Sequence, residues 1–281
     1  MARRSDVAIN SAVLPLGEDD PDFVRALARG LNMLECFEDA VDGLTLTAVA
    51  LRTKLTRGSA RRLLLTLEFL GYIRSRDGRF FLQPRTLQLG YSYLSSQPLW
   101  SLAQQHLEQL VNTTSESCSI GVLENFDILY VARADPNRLI ENNVRVGTKL
   151  PAYANSMGKL LLSQLPPDML ADYLDKVTLK KHTPYTIASK TQLRRALATI
   201  KREGWSMSDQ EIRVGLQAIA MPIRRPDGEI VAALNISRYI SPGNDDKMAR
   251  FVPLAKKTAA KLSQLIAVHP KGPSLSLTQP Q

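Results

Sequence analysis

The stretch LTRGSARRLLLTLEFLGYIRSRDGRFFL, residues 55–82, restricts the possible folds of this chain more than any other. Ala60, Leu63, Leu64, Leu67 and Leu70 recur at steps of three and four, which lines one face of an α-helix. Thr56 stands where an N-cap belongs, and Gly71 suits the left-handed residue that ends such a helix. YIRSR and RFFL then flank Asp77-Gly78, a strong signal for a two-residue hairpin turn. Upstream, LTLTAVALRTKL predicts a short helix capped by Thr47 that buries Val49 and Ala50. Two short helices, a tight turn and a basic hairpin are the plan of a winged helix-turn-helix.

Charge supports that plan. The whole chain carries a formal +9, which favours a polyanionic partner without naming one. Residues 43–85 hold nine Lys/Arg against Glu68 and Asp77, a net +7, whereas residues 17–42 net −6. A uniformly basic surface would not segregate in this way. A major groove admits one helix, whose N-terminal residues reach the base edges. Arg57, Ser59 and Arg61 are therefore the candidate base readers, with Arg62 nearer the backbone and Thr56 suited to phosphate or base contacts. Thr47 joins them as a candidate contact, and Arg74, Arg76 and Arg79 on the hairpin would follow the neighbouring backbone or minor groove. Alone, arginines on an amphipathic helix read equally well as a solvated face; the hairpin and the local charge tip the balance.

Along the chain, residues 1–20 form a tail and DDPDFVRALARGLNMLECFED starts a helix, with Asp22 as cap and Val24, Leu27, Leu31 and Leu34 on one face. PRTLQLGYSYLSSQPLWSLAQQHLEQLVNTTS is mostly helical. From about residue 115, CSIGVLE and DILYVAR read as paired strands and NNVRVG as a third. NSMGKLLLSQL is a helix, as is SKTQLRRALATIKREG, with Ser189 and Gln192 as a capping box and Gly204 as its stop. LQAIAMPIRRPDGEIVAALNISRYI is a long hairpin turning at Pro226-Asp227-Gly228, and DDKMARFVPLAKKTAAKLSQLIAV a final helical stretch. The division predicted is a flexible tail at 1–20, a DNA-binding domain at 21–90, a linker helix at 91–113, a second domain at 114–268 and a tail at 269–281. The class is α+β, the second domain an antiparallel sheet with helices.

FVRALARGLNMLECF, ARRLLLTLEFLGYI, LPAYANSMGKLLL, GWSMSDQEIRVGLQAIAMPIR and VAALNISRYI together resemble the IclR-type transcriptional regulators, and within them the branch governing aromatic-acid degradation through the β-ketoadipate route. The resemblance runs from about Pro21 to Val268. It implies a winged helix-turn-helix, a linker helix and a GAF-like effector-binding domain. It also implies self-association to dimers or tetramers, operator DNA as partner, and RNA polymerase as a further partner for an activator. The effector implied is a small organic acid of the protocatechuate, 4-hydroxybenzoate or β-ketoadipate class. The family's effector positions fall here on Ser156, Met157, Ser208, Asp209, Ala218, Asn235 and Ser237. Gly58 stands where alanine is more usual, which lowers helix propensity.

The residues carry part of this by themselves. A helix starting at Asn155 or Ser156 leaves backbone N–H groups at its front, and Gly158 would let a carboxylate approach the backbone. Asn235 and Ser237, two apart on a strand, share a face. Leu216 and Met157 are candidate apolar walls. The plainer reading, in which Asn155 and Ser156 merely cap the helix, stays open at this level.

Catalytic signatures are sparse. His106, His182 and His269 lack metal spacing, SMGK lacks the first glycine of a phosphate loop, and no Gly-x-Ser-x-Gly elbow occurs. Cys118, in a predicted strand, reads as a buried thiol. No enzyme, cofactor or metal is expected. A small-molecule hydrolase or ligand-binding module with a basic appendage, and an effector-independent scaffold, are the alternatives. Two distant cysteines imply no disulfide framework, and no run approaches the ~18 apolar residues of a membrane span, so a cytoplasmic protein without membrane contact is expected.

Overall fold

A computed structural model describes residues 19–96, 98–136, 144–240 and 248–268. The chain divides into two compact units, the first ending at Tyr93 and the second beginning at Leu94.

In the first unit, helices α1 (Arg25–Glu35), α2 (Leu46–Arg52) and α3 (Arg57–Phe69) stand beside a three-stranded sheet of β1 (Leu44–Thr45), β2 (Ile73–Arg76) and β3 (Arg79–Leu82), in the order β1-β3-β2. Met33, Phe37, Leu44, Val49, Ala60, Leu64, Leu67 and Ile73 form its core. Asp77 (φ 49°) and Gly78 (φ 73°) are both left-handed, as a two-residue turn of the primed type requires. Gly71, at φ 78°, follows α3 as expected.

Four expectations need correction. The cap of α2 is Thr45, whose hydroxyl accepts from the Ala48 N–H at 3.2 Å; Thr47 lies inside the helix. Helix α1 starts at Arg25 without any side-chain cap, and Asp22 instead donates its N–H to the Asp20 carboxylate. Of the apolar face expected on α1 only Leu34 is buried; Val24, Leu27 (62%) and Leu31 (49%) are exposed, and Met33 and Phe37 turn inward instead. In α3, Ala60, Leu64 and Leu67 are buried, but Leu70 lies at the helix end and is exposed.

Helices α4 (Leu87–Ser96) and α5 (Pro98–Thr114) follow. The second unit is built on six antiparallel strands: β4 (Ser117–Glu124), β5 (Asp127–Ala134), β6 (Lys149–Pro151), β7 (Ser206–Asp209), β8 (Leu216–Arg224) and β9 (Ile230–Tyr239). Their order is β6-β5-β4-β9-β8-β7. One face packs Cys118, Ile120, Ile219, Met221, Leu234 and Ile236 against α5 and α9 (Val252–Val268). The other packs Tyr130, Ala220 and Ala233 among α6 (Ser156–Leu162), α7 (Pro167–Lys176) and α8 (Lys190–Glu203). Ser189 caps α8 and Gly204 ends it at φ 75°. The third strand is Lys149–Pro151, pairing with β5; of NNVRVG, residues 144–147 are irregular or turn, and 142–143 lie outside the described residues. The expected tails at 1–20 and 269–281 fall almost wholly outside them too, as do residues 245–247 of the last helical stretch, where a 3-10 turn at Met248–Phe251 precedes α9. Helix α7, opened by Pro167 at its first position, was not anticipated. Among the described residues no helix is long and apolar enough to cross a membrane.

Candidate nucleic-acid interface and candidate ligand cavity

Helix α3 is positioned by its core face and by its cap. The Thr56 hydroxyl accepts from the Ser59 N–H at 3.2 Å and donates to the Ser59 Oγ at 3.0 Å, so these two side chains are partly occupied with each other. Arg57, Arg61 and Arg62 are exposed, and among the described residues their guanidinium groups have no partner. At about 100° per residue, Arg62 stands opposite the buried Ala60–Leu64 line, Arg61 lies between the two, and Arg57 sits at the edge of that line. The hairpin arginines differ. Arg74 lies over the Phe81 ring at 5.8 Å and Arg76 pairs with Asp77 at 3.3 Å. Arg79 donates to the carbonyls of Gly43 (3.2 Å) and Asp42 (3.4 Å), fastening the hairpin to the loop before β1. Thr47 is exposed near the start of α2.

The second unit holds a small cavity, with about 30 Å³ of space for a water-sized molecule, that opens to the surface. Its wall includes Asn155, Ser156, Ser208, Leu216, Ala218, Asn235 and Ser237, which the sequence reading named. The register explains their meeting. Ser237 pairs with Ala218, and Ala218 with Ser208, so directly opposed residues of three neighbouring strands form a small floor on one face of the sheet. The roof is the turn into α6. Asn155 Oδ1 accepts from the Met157 N–H at 2.9 Å while its Nδ2 donates to the Tyr130 hydroxyl at 3.0 Å. Burial pushes the Tyr130 hydroxyl above its ordinary pKa. Among the described residues, Ser156 Oγ and Asn235 Oδ1 are buried without a hydrogen-bond partner.

Three assigned positions lie outside this wall. Met157 is wholly buried in the core below. Gly158 is a packing residue: a Cβ there would meet the Ala152 carbonyl oxygen at 2.1 Å, so its missing side chain admits protein backbone rather than a ligand. Asp209 is exposed and accepts from Gln217 Nε2 at 3.0 Å. The helix front is also less open than expected, because Asn155 already caps it.

Tyr130, Arg133, Val144, Leu150, Ala154 and Ile212 line the cavity without having been foreseen. Ile212 sits on the loop after β7, which a buried ion pair anchors. Lys159 Nζ bonds the Glu211 carboxylate and donates to the Met207 carbonyl at 2.9 Å. Burial raises the Glu211 pKa, and Lys159 opposes that rise. Thr186 donates to the Glu211 carbonyl at 2.6 Å.

Comparison with known proteins covers both units. A model described as the IclR helix-turn-helix domain matches residues 26–77, and one described as the bacterial transcriptional regulator IclR C-terminal domain matches residues 91–264. The Pca regulon regulatory protein of Pseudomonas putida is 38% identical over 237 residues, 84% of this chain and 81% of its own. The p-hydroxybenzoate hydroxylase transcriptional activator of Acinetobacter baylyi is 36% identical, covering 87% of this chain and 93% of its own. A solved IclR homologue from Microbacterium hydrocarbonoxydans, complexed with 4-hydroxybenzoate, superposes with a TM-score of 0.73 at 26% identity, covering 85% of this chain and 98% of that one.

Proposed function

The chain belongs to the IclR family of bacterial DNA-binding transcriptional regulators, and from that premise we propose that a small aromatic acid in its second unit sets how its first unit engages operator DNA. The observation that carries the ligand half is the pair of unmet buried atoms, Ser156 Oγ and Asn235 Oδ1, in the cavity wall. Leaving such a group unsatisfied costs about 1–3 kcal/mol, which a polar ligand recovers. Leu150, Ile212 and Leu216 add apolar surface suited to a ring. The relatives named for pca and p-hydroxybenzoate genes, and the homologue holding 4-hydroxybenzoate, support a hydroxybenzoate, protocatechuate or β-ketoadipate class.

In this reading residues 21–90 bind the operator, 114–268 bind the effector and 91–113 couple them. Arg57, Ser59, Arg61 and Arg62 read bases or adjacent phosphates, Thr47 and Thr56 contact the backbone, and Arg74, Arg76 and Arg79 track the neighbouring strand. Two copies, or two pairs, meet a repeated or palindromic site in the cytoplasm, and an activating form touches RNA polymerase. The ligand leaves unchanged, as it would not from an enzyme.

A thermal-shift screen of 4-hydroxybenzoate, protocatechuate and β-ketoadipate tests the reading, since a ligand at a hundred times its Kd adds about 2.7 kcal/mol to native stability. At least one acid should raise Tm, alter operator retention in a gel and come back intact by chromatography. A Ser156→Leu, Ser237→Leu double variant should lose that response. A screen in which no acid moves either Tm or operator binding overturns the reading.

A further inference from the structure

We propose that Arg133 grips the carboxylate of the effector and thereby makes the cavity select an acid over its neutral analogues; this rests on the cavity being the effector site. Among the described residues, Arg133 is the one formally charged group in the wall, which holds no Asp or Glu. Its counter-charge, Asp135, pairs with it from behind the wall, so the side turned to the cavity offers only donors, which suits an anionic ligand.

Its geometry is prepared for that task. The side chain is only 5% exposed and is held from behind. Nε donates to Asp135 Oδ2 at 2.8 Å, Nη2 bonds Asp135 Oδ1, and Nη1 donates to Ser119 Oγ at 3.0 Å. Ser117 Oγ steadies Asp135 at 2.7 Å. A guanidinium has five N–H donors. These contacts use three, leaving one N–H on each terminal nitrogen, the number a carboxylate takes in a two-oxygen grip. Asp135 is outside the wall and 47% exposed, so it orients the arginine without presenting its own charge to the ligand.

Strand register supplies the second half of the receptor. Ser119 pairs with Arg133 on one side and with Asn235 on the other, setting guanidinium, hydroxyl and amide in one row across β5, β4 and β9. Adjacent strands lie about 4.8 Å apart, so Arg133 and Asn235 stand two strands, or about 10 Å, apart, a gap that the arginine side chain and a carboxylate seated on it can span together. The unmet Asn235 amide is 2% exposed, and turning it end for end presents a donor instead of an acceptor.

The test is calorimetric, on the full chain, with 4-hydroxybenzoate and 4-hydroxybenzamide as probes. Wild type should prefer the acid by about 100-fold, the scale of a charge-assisted pair. Arg133→Gln should abolish that preference while holding amide affinity within about threefold. Arg133→Gln/Asp135→Asn should do the same, which separates loss of the grip from repulsion by an unpaired Asp135. Arg133→Lys keeps the charge without the fork, and should lower the preference about tenfold; it carries the test if the glutamine variants do not fold. An acid preference that stays near 100-fold in the variants that fold overturns the proposal, even though wild type binds. Wild type that binds neither probe nor any related acid overturns the parent reading instead, so the two failures are distinct.

Discussion

Replacing Gly158 with alanine should destabilise the second unit although alanine is the better helix former. A Cβ at 158 would lie 2.1 Å from the Ala152 carbonyl oxygen, 2.3 Å from its Cα and 2.6 Å from its carbonyl carbon. Ordinary contact begins near 3.4 Å, so the turn and α6 must part by about 1.3 Å, and both sides are backbone that no rotamer can relieve. All seven residues of α6 are buried, so the shift also disturbs Met157, Leu160 and Leu161. Overpacking of this kind costs about 1–3 kcal/mol or more, against roughly 1 kcal/mol gained in propensity. A net loss of about 2 kcal/mol lowers Tm by about 4–8 °C in a domain of this size. Trp100 and Trp205 both belong to the second unit, so tryptophan fluorescence follows its melting directly. Gly58 is the control. Nothing lies within 4 Å of a Cβ there, so Gly58→Ala should stabilise the first unit by about 0.5–1 kcal/mol, read by circular dichroism. A Gly158→Ala protein melting at or above the wild-type temperature refutes the reasoning.

Lys159→Met should cost about 3–5 kcal/mol in denaturant unfolding, because it strands a buried carboxylate, whereas Lys159→Met/Glu211→Leu should recover most of the loss. A single variant within 1 kcal/mol of wild type would mean that the pair does not hold the loop. Arg61→Ala should weaken operator binding by about 1–3 kcal/mol and blur sequence preference in gel shifts; unchanged binding and preference would remove it from the reading set. Burial pushes the Cys118 thiol up to about 12, so at pH 8 Ellman's reagent should label Cys36 and reach Cys118 only in denaturant. Because the folded pKa exceeds the ordinary 9.0, the native state favours the protonated thiol, and this contribution to stability is lost as pH rises from 9 towards 12. Prompt labelling of both cysteines in native protein, or stability flat across that window, would contradict it.

Local signals were legible where one residue type has one physical use. Asp77-Gly78, Gly71, Gly204 and the Thr56 cap announced their turns and helix ends because left-handed backbone and orphan N–H groups leave few options. The α1 stripe failed because periodicity shows that a face is apolar without showing what covers it. Thr45 and Thr47 are chemically identical as caps, and only the backbone turn chooses between them. Pro166-Pro167 did carry a start signal for α7 that was passed over. In the cavity, strand alternation placed Asn235 and Ser237 together, but Arg133 and Tyr130 come from β5, and their arrival depends on the cross-strand register beyond Gly121, where the β4–β5 pairing slips by one residue. Gly158 was misread because a glycine beside a suspected site fits either a ligand or a neighbouring main chain, and sequence does not say which.

The central strands β4 and β9 bear different duties on alternate residues. Ser119, Asn235 and Ser237 face the cavity side, whereas Cys118, Ile120, Leu234 and Ile236 are sealed against α5 and α9. Mutation can therefore rewrite every second position, exchanging one chemical preference for another, while the intervening positions keep the scaffold intact. Such a sheet lets a lineage diversify what it senses without first having to reinvent how it stands.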